Sequence, residues 1–152
     1  MSHKLSHSNI LPFIVAGKAI FTIKNSSTGG RFTYKVVCPT DKKPEEASIF
    51  FVKLLTGPDN ESSYKYIGYI KIWNGSPCFY YGTKSKIGKE APGVVAFEFV
   101  FNQILAAGRV SNVLEVWHEG KCCRCGRTLT VPESIESGIG PECARIQHKI
   151  AA

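Results

Sequence analysis

Four of the six cysteines in this chain fall in one stretch, GKCCRCGRTLTVPESIESGIGPECARIQH, Gly120 to His148, together with one of its four histidines. So many sulfurs in so short a segment limit what it can fold around: a set of disulfides or a metal ion. Cys122 and Cys125 form a Cys-x2-Cys pair followed by Gly126 and Arg127. With this spacing two thiolates grip one Zn2+ at about 2.3 Å from a tight turn, and glycine is free to take the left-handed backbone that the turn needs. Cys143 follows GIGP, where Pro141 suits the start of a helix, so Cys143 occupies the first turn of that helix as a third ligand.

The fourth ligand has two candidate histidines. His148 lies five residues beyond Cys143, and at about 100° per residue a continuous helix turns it roughly 140° away from that thiol. His118 stands before the Cys-x2-Cys pair in His-x3-Cys-x2-Cys spacing, and no such rotation counts against it. His118, Cys122, Cys125 and Cys143 are therefore the preferred set. His148 is the alternative fourth member, and Cys123 reads as a free thiol beside the site. Three cysteines and one histidine fill a tetrahedral shell and leave no position for water or substrate, so the expected Zn2+ is structural.

Upstream, the pattern changes to strands. Lys18 to Lys24 and Arg31 to Val37 alternate polar and apolar residues about the turn-rich NSSTGG, which predicts a hairpin. Ala19, Phe21, Ile23, Phe32, Tyr34 and Val36 face the core, while Lys18, Thr22, Lys24, Arg31, Thr33 and Lys35 face away. Ser48 to Leu55 is a third strand. YKYIGYIKIW is a fourth, with Lys65, Ile67, Tyr69, Lys71 and Trp73 on one face, and CFYYG and VLEVW follow as shorter strands. Pro92 opens an apolar helix that stops near Gly108, and Met1 to Ser8 read as polar and frayed. The predicted fold is α+β: an antiparallel sheet with one packed helix over residues 9–117, then a small zinc-knuckle or treble-clef-like module over residues 118–152.

Charge narrows the partners. Lys and Arg number 19 against 12 Asp and Glu, and 14 of the former and 8 of the latter precede His118, so the positive excess lies mainly in the sheet region. An anionic partner, DNA or RNA, suits this balance. Lys18, Lys24, Arg31, Lys35, Lys65 and Lys71 would track phosphates and Tyr69 would stack on a base, with Arg124 and Arg127 on the metal turn adding contacts. No run of about 18 apolar residues marks a membrane span, and the N-terminus lacks a secretory pattern, so no membrane partner and a cytoplasmic location are expected. In that reducing setting clustered cysteines are more often metal ligands than disulfides. No enzyme is expected: Glu119, Glu133 and Glu142 lie near the metal, but a closed zinc shell offers them no activated water.

The run Cys122, Arg124-Cys125-Gly126-Arg127, Leu129, Pro132-Glu133-Ser134-Ile135, Gly138-Ile139-Gly140-Pro141 and Cys143 resembles a small zinc-binding module, CxRCGRxLTxPESIxxGIGPxC. That module occurs in bacterial and phage proteins of uncharacterised function, sometimes near helicase-like or other DNA-handling domains. The VWHEG before it, the LTGPDN loop and the apolar helix also look like parts of the longer family pattern. Similar sequences usually carry Gly where this chain has Cys123. The resemblance implies zinc and a phage or mobile-element source, hence the host cytoplasm, and it implies no activity. Two functions stay open: a nucleic-acid-binding accessory protein, or a protein-interaction module that inhibits or redirects a host protein.

Overall fold

In the computed structural model, which describes residues 3–43, 46–57 and 63–145, the alternating segments build one antiparallel sheet of seven strands. These are β1 (His3–Lys4), β2 (Lys18–Asn25), β3 (Arg31–Val37), β4 (Ile49–Leu55), β5 (Tyr64–Trp73), β6 (Ser76–Tyr81) and β7 (Leu114–His118). Their order is β1-β7-β2-β3-β4-β5-β6, so β2 to β6 form a meander and β7 returns to lie between β2 and β1. The β2–β3 hairpin turns as its sequence predicts: the Asn25 side chain accepts the backbone N–H groups of Ser27 and Thr28, and Gly29 takes a φ of 78°.

One face of this sheet is covered and the other is not. Ala19, Phe21 and Ile23 on β2, Tyr34 and Val36 on β3, and Phe50, Val52 and Leu54 on β4 are buried. Against them pack α1 (His7–Ile14), α2 (Pro92–Glu98) and a π-helical segment, Phe99–Leu105, that continues α2. Phe13 of α1 meets Phe21 edge-on with ring centroids 6.2 Å apart, and Tyr34 lies 4.9 Å from Phe97 while donating its hydroxyl to Gly93 O at 2.6 Å. An antiparallel sheet can leave its second face to water in this way.

The N-terminus departs from the frayed segment predicted for it. His3 and Lys4 pair with His118 and Trp117 as the edge strand β1, and α1 buries Ile10, Phe13 and Ile14. The predicted boundary between residues 117 and 118 falls inside β7, so the cysteine module grows directly out of the sheet.

A second difference lies in β5. Its register against β4 shifts between Val52 and Lys53: Val52 pairs with Gly68 but Lys53 pairs with Tyr66, leaving Ile67 as the extra residue of a β-bulge. Both Ile67 and Gly68 are buried, and a Cβ on Gly68 would collide with Tyr80 O and the Phe79 ring. The bulge resets the alternation. Tyr69, Lys71 and Trp73 face away from the helices together with Tyr64 and Tyr66, whereas Ile67 is in the core and Lys65 pairs with the buried Leu54 on the opposite face. Lys65 is thereby separated from Tyr69 and Lys71, with which the unbroken period of two had grouped it.

The outer edge of β6 is closed by a side chain. Asn102 of the π-helical segment accepts the Phe79 N–H through Oδ1 at 2.8 Å and donates from Nδ2 to Phe79 O at 3.0 Å, imitating a neighbouring strand at one residue. Asn102→Ala removes both bonds and should lower unfolding free energy by about 1–2 kcal/mol. Urea denaturation should show this as a lower midpoint at unchanged slope.

Candidate metal centre and open sheet face

The cysteine module begins where β7 ends. Gly120, with φ 82°, turns the chain into a small hairpin held by a bridge between Lys121 and Thr128 and by Leu129 N–H to Gly120 O at 2.7 Å. At its tip Cys122 N–H bonds to Arg127 O and Gly126 N–H to Cys122 O, with Gly126 in the predicted left-handed conformation at φ 82°. The chain then forms α3 (Pro132–Ser137), which stops at Gly138 with φ 76°. A side chain there would strike the Phe13 ring. Residues 141–145 are helical and contain Cys143, as Pro141 predicts.

These turns bring Sγ of Cys122, Cys125 and Cys143 within 4.8 Å of one another. Sulfurs at the corners of a tetrahedron around an ion about 2.3 Å away stand about 3.8 Å apart, so the trio is close to the arrangement a metal ion needs. Its surroundings suit thiolates. Backbone N–H groups of Gly140 and Arg124 point at Cys122 Sγ at 3.2 and 3.5 Å, and Arg124 Nη1 lies 3.4 Å from Cys143 Sγ. Burial pushes the Cys122 thiol up, but these N–H donors, with Cys125 adding its backbone and side chain, bring it below its ordinary value. Cys143 is pushed up to about 11, first by burial, against the pull of Arg124. A bound cation reverses that penalty, because it favours the deprotonated ligand.

His118 does not join the thiols. It is 1% exposed, its Nε2 lies 2.7 Å from Ile135 O, and its Nδ1 accepts the Gly120 N–H at 3.0 Å. Both ring nitrogens are thus committed to backbone, which corrects the ligand set preferred from spacing: His118 pins α3 and the turn at Gly120 to the end of β7. His148 lies outside the described residues. Cys123 is buried beside the three thiols and outside their cluster, and burial raises its thiol pKa. Its backbone ties the module down, with Cys123 N–H to Gly138 O at 2.8 Å and Lys18 N–H to Cys123 O at 2.6 Å.

The basic candidates divide differently from the sequence reading. Lys18, Lys24, Arg31, Lys35 and Lys71 lie on the helix-free face, and Lys4 and Lys53 join them. Lys65 is on the other face. Arg124 turns its guanidinium toward Cys143, where it would offset the charge of a thiolate, while Arg127 is exposed on the knuckle. Among the described residues the acidic groups of this face are Glu115, held by Lys4 at 3.8 Å and by the Trp117 indole at 3.1 Å, and Glu119 beyond β7. Partial burial and then the Glu119 carboxylate raise the pKa of Tyr64 on β5.

Aromatic rings fill the β4–β6 half of the same face. Tyr69 pairs with Phe51 on one side and Tyr80 on the other, the Tyr69 and Tyr80 rings stacking at 5.5 Å. Phe51 meets Tyr66 edge-on at 6.3 Å, and Lys71 Nζ sits 3.9 Å over the Trp73 ring. Trp117 lies at the far side, opposite Thr22. Of these rings the sequence reading had singled out Tyr69 for stacking. Gly68 inside a strand pattern was the signal for the bulge that gathers the others.

Residues 114–148, covering β7 and the cysteine module, match a family of unknown function (DUF6011). No curated protein and no solved structure matches the chain. Among the described residues no helix is long and apolar enough to cross a membrane.

Burial lowers the His118 pKa, the Ile135 carbonyl raises it in part and His3 lowers it again, for a net shift downward. Above about pH 6.5, the ordinary imidazole value, His118 is neutral in both folded and unfolded chains. Below it the unfolded chain takes up a proton that the folded chain resists, so stability falls with pH. His118→Asn should flatten the loss of stability between pH 7 and 5 in urea titrations, while metal content per chain stays at the parent value.

Proposed function

We propose that this chain is a zinc-stabilised nucleic-acid-binding accessory protein whose binding surface is the helix-free face of its sheet. The observation that carries this reading is the concentration of Lys4, Lys18, Lys24, Arg31, Lys35, Lys53 and Lys71 on one face that also presents a group of aromatic rings. Cations spaced at strand intervals match a string of phosphates, and their release of counterions gives affinity without sequence choice. The zinc belongs to the scaffold: Cys122, Cys125 and Cys143 are soft ligands suited to it. His148 is our choice for the fourth position. His118 is committed to backbone, His7 bonds to Ser111 O at 3.0 Å, and His3 lies against His118 with ring centroids 5.5 Å apart.

A protein partner is the second reading. It is favoured by an apolar groove of about 380 Å3 between the π-helical segment and the β2–β3 turn, where Phe99 is 58% and Val95 52% exposed. Its lining of Ile23, Phe32, Val100, Ile104 and Leu114 suits the apolar side of an amphipathic segment.

Elemental analysis of protein purified without chelator should give one zinc per chain. Cys125→Ser and Cys143→Ser should abolish it with unfolding of the module, and His148→Ala should weaken retention against a competing chelator. Binding to nucleic acid should fall steeply between 50 and 200 mM salt. Each of Lys35→Gln and Lys53→Gln should reduce the log–log salt slope by about 0.7–0.9. Absence of binding to any nucleic acid at low salt would leave the protein-partner reading.

A further inference from the structure

The division of the open face into a cationic half and an aromatic half says more than attraction to phosphate. Lys18, Lys24, Arg31 and Lys35 occupy β2 and β3, whereas Phe51, Tyr66, Tyr69, Tyr80 and Trp73 occupy β4 to β6. Neighbouring strands stand about 4.8 Å apart, so β3 and β5 are about 10 Å apart, a separation of the order of one nucleotide from phosphate to base. The rings are available: Trp73 is 56%, Tyr80 40% and Phe51 36% exposed. An exposed cluster of this kind costs solubility unless something covers it.

We infer, building on the nucleic-acid reading above, that this face takes single-stranded nucleic acid, with the sugar-phosphate backbone over β2 and β3 and unpaired bases stacked on the rings of β4 to β6. A duplex presents phosphates and groove edges and keeps its base faces inside the stack. It engages the lysines and leaves the rings bare. An unpaired strand uses both halves, and stacking on aromatic side chains tolerates any base because every base has a π-face. Lys53 on β4 stands between Lys35 and Tyr66, at the border of the two halves, and Lys71 lies over Trp73 within the aromatic half. The shared ligand chemistry is a phosphate backbone bearing free bases, in RNA or DNA.

The test uses the full, zinc-loaded chain with labelled oligo(dT), oligo(U) and a mixed-sequence duplex of equal nucleotide count, followed by anisotropy at two salt concentrations. Both tryptophans, Trp73 and Trp117, lie on this face, so quenching of intrinsic fluorescence gives a second readout. The expected result is at least tenfold tighter binding of one or both single strands than of duplex. Trp73→Ala and Tyr80→Ala, at exposed positions that bear little on folding, should weaken single-strand binding by about five- to 150-fold each and leave the salt slope unchanged. Duplex bound as tightly as single strands, with these variants unaffected, overturns the single-strand inference and leaves the nucleic-acid reading standing. No binding of any of the three overturns both.

Discussion

The constraint on which the rest depends is that this chain has one layer of helix for a seven-stranded sheet. The buried phenylalanine and tyrosine rings, Phe13, Phe21, Tyr34, Phe50, Phe79, Phe97 and Phe101, lie between that layer and the sheet. Nothing among the described residues covers the other side, so every second residue of each strand must be compatible with water or with a partner. Lysine and threonine on β2 and β3 satisfy this through solvation. The tyrosines, tryptophan and phenylalanine of β4 to β6 satisfy it by packing against one another and under lysine ammonium groups.

The cysteine module is fastened to this layout by short polar links. Lys18 N–H to Cys123 O joins the knuckle to the first residue of β2, Cys123 N–H to Gly138 O joins it to the end of α3, and His118 joins β7 to both the Gly120 turn and α3. Each link pairs backbone groups of the module, and where such a group is buried, leaving it without a partner costs about 1–3 kcal/mol. Cys122, Cys123, Leu129, Ile139 and Cys143 belong to the same apolar cluster as the sheet interior. A metal ion held by the three thiols would therefore reinforce one continuous core.

Much of this was legible in the sequence, and the failures have physical causes. The β2–β3 hairpin, the helix after Pro92 and the Cys122–Cys125 knuckle follow from local rules: period two, proline at a first turn, glycine after a cysteine pair. His118 was read from spacing, but spacing does not reveal that its two nitrogens meet Ile135 O and Gly120 N–H. Those contacts depend on where α3 docks. The face of Lys65 was read from alternation, which one extra residue at Ile67 reverses for everything before it. The edge strand His3–Lys4 was missed because a two-residue strand carries no periodicity and exists only through its partner β7.

The amide of Asn102 bears on how such a sheet meets other molecules. With Phe79's peptide groups already matched by a side chain at one border, and a strand of only two residues at the other, neither margin offers, among the described residues, a row of free donors and acceptors for an incoming strand to zip onto. Short or plugged margins of this kind disfavour strand-by-strand addition of further copies. What the described part of the sheet leaves open to contact is its broad helix-free face, which meets its surroundings through side chains and not through backbone groups.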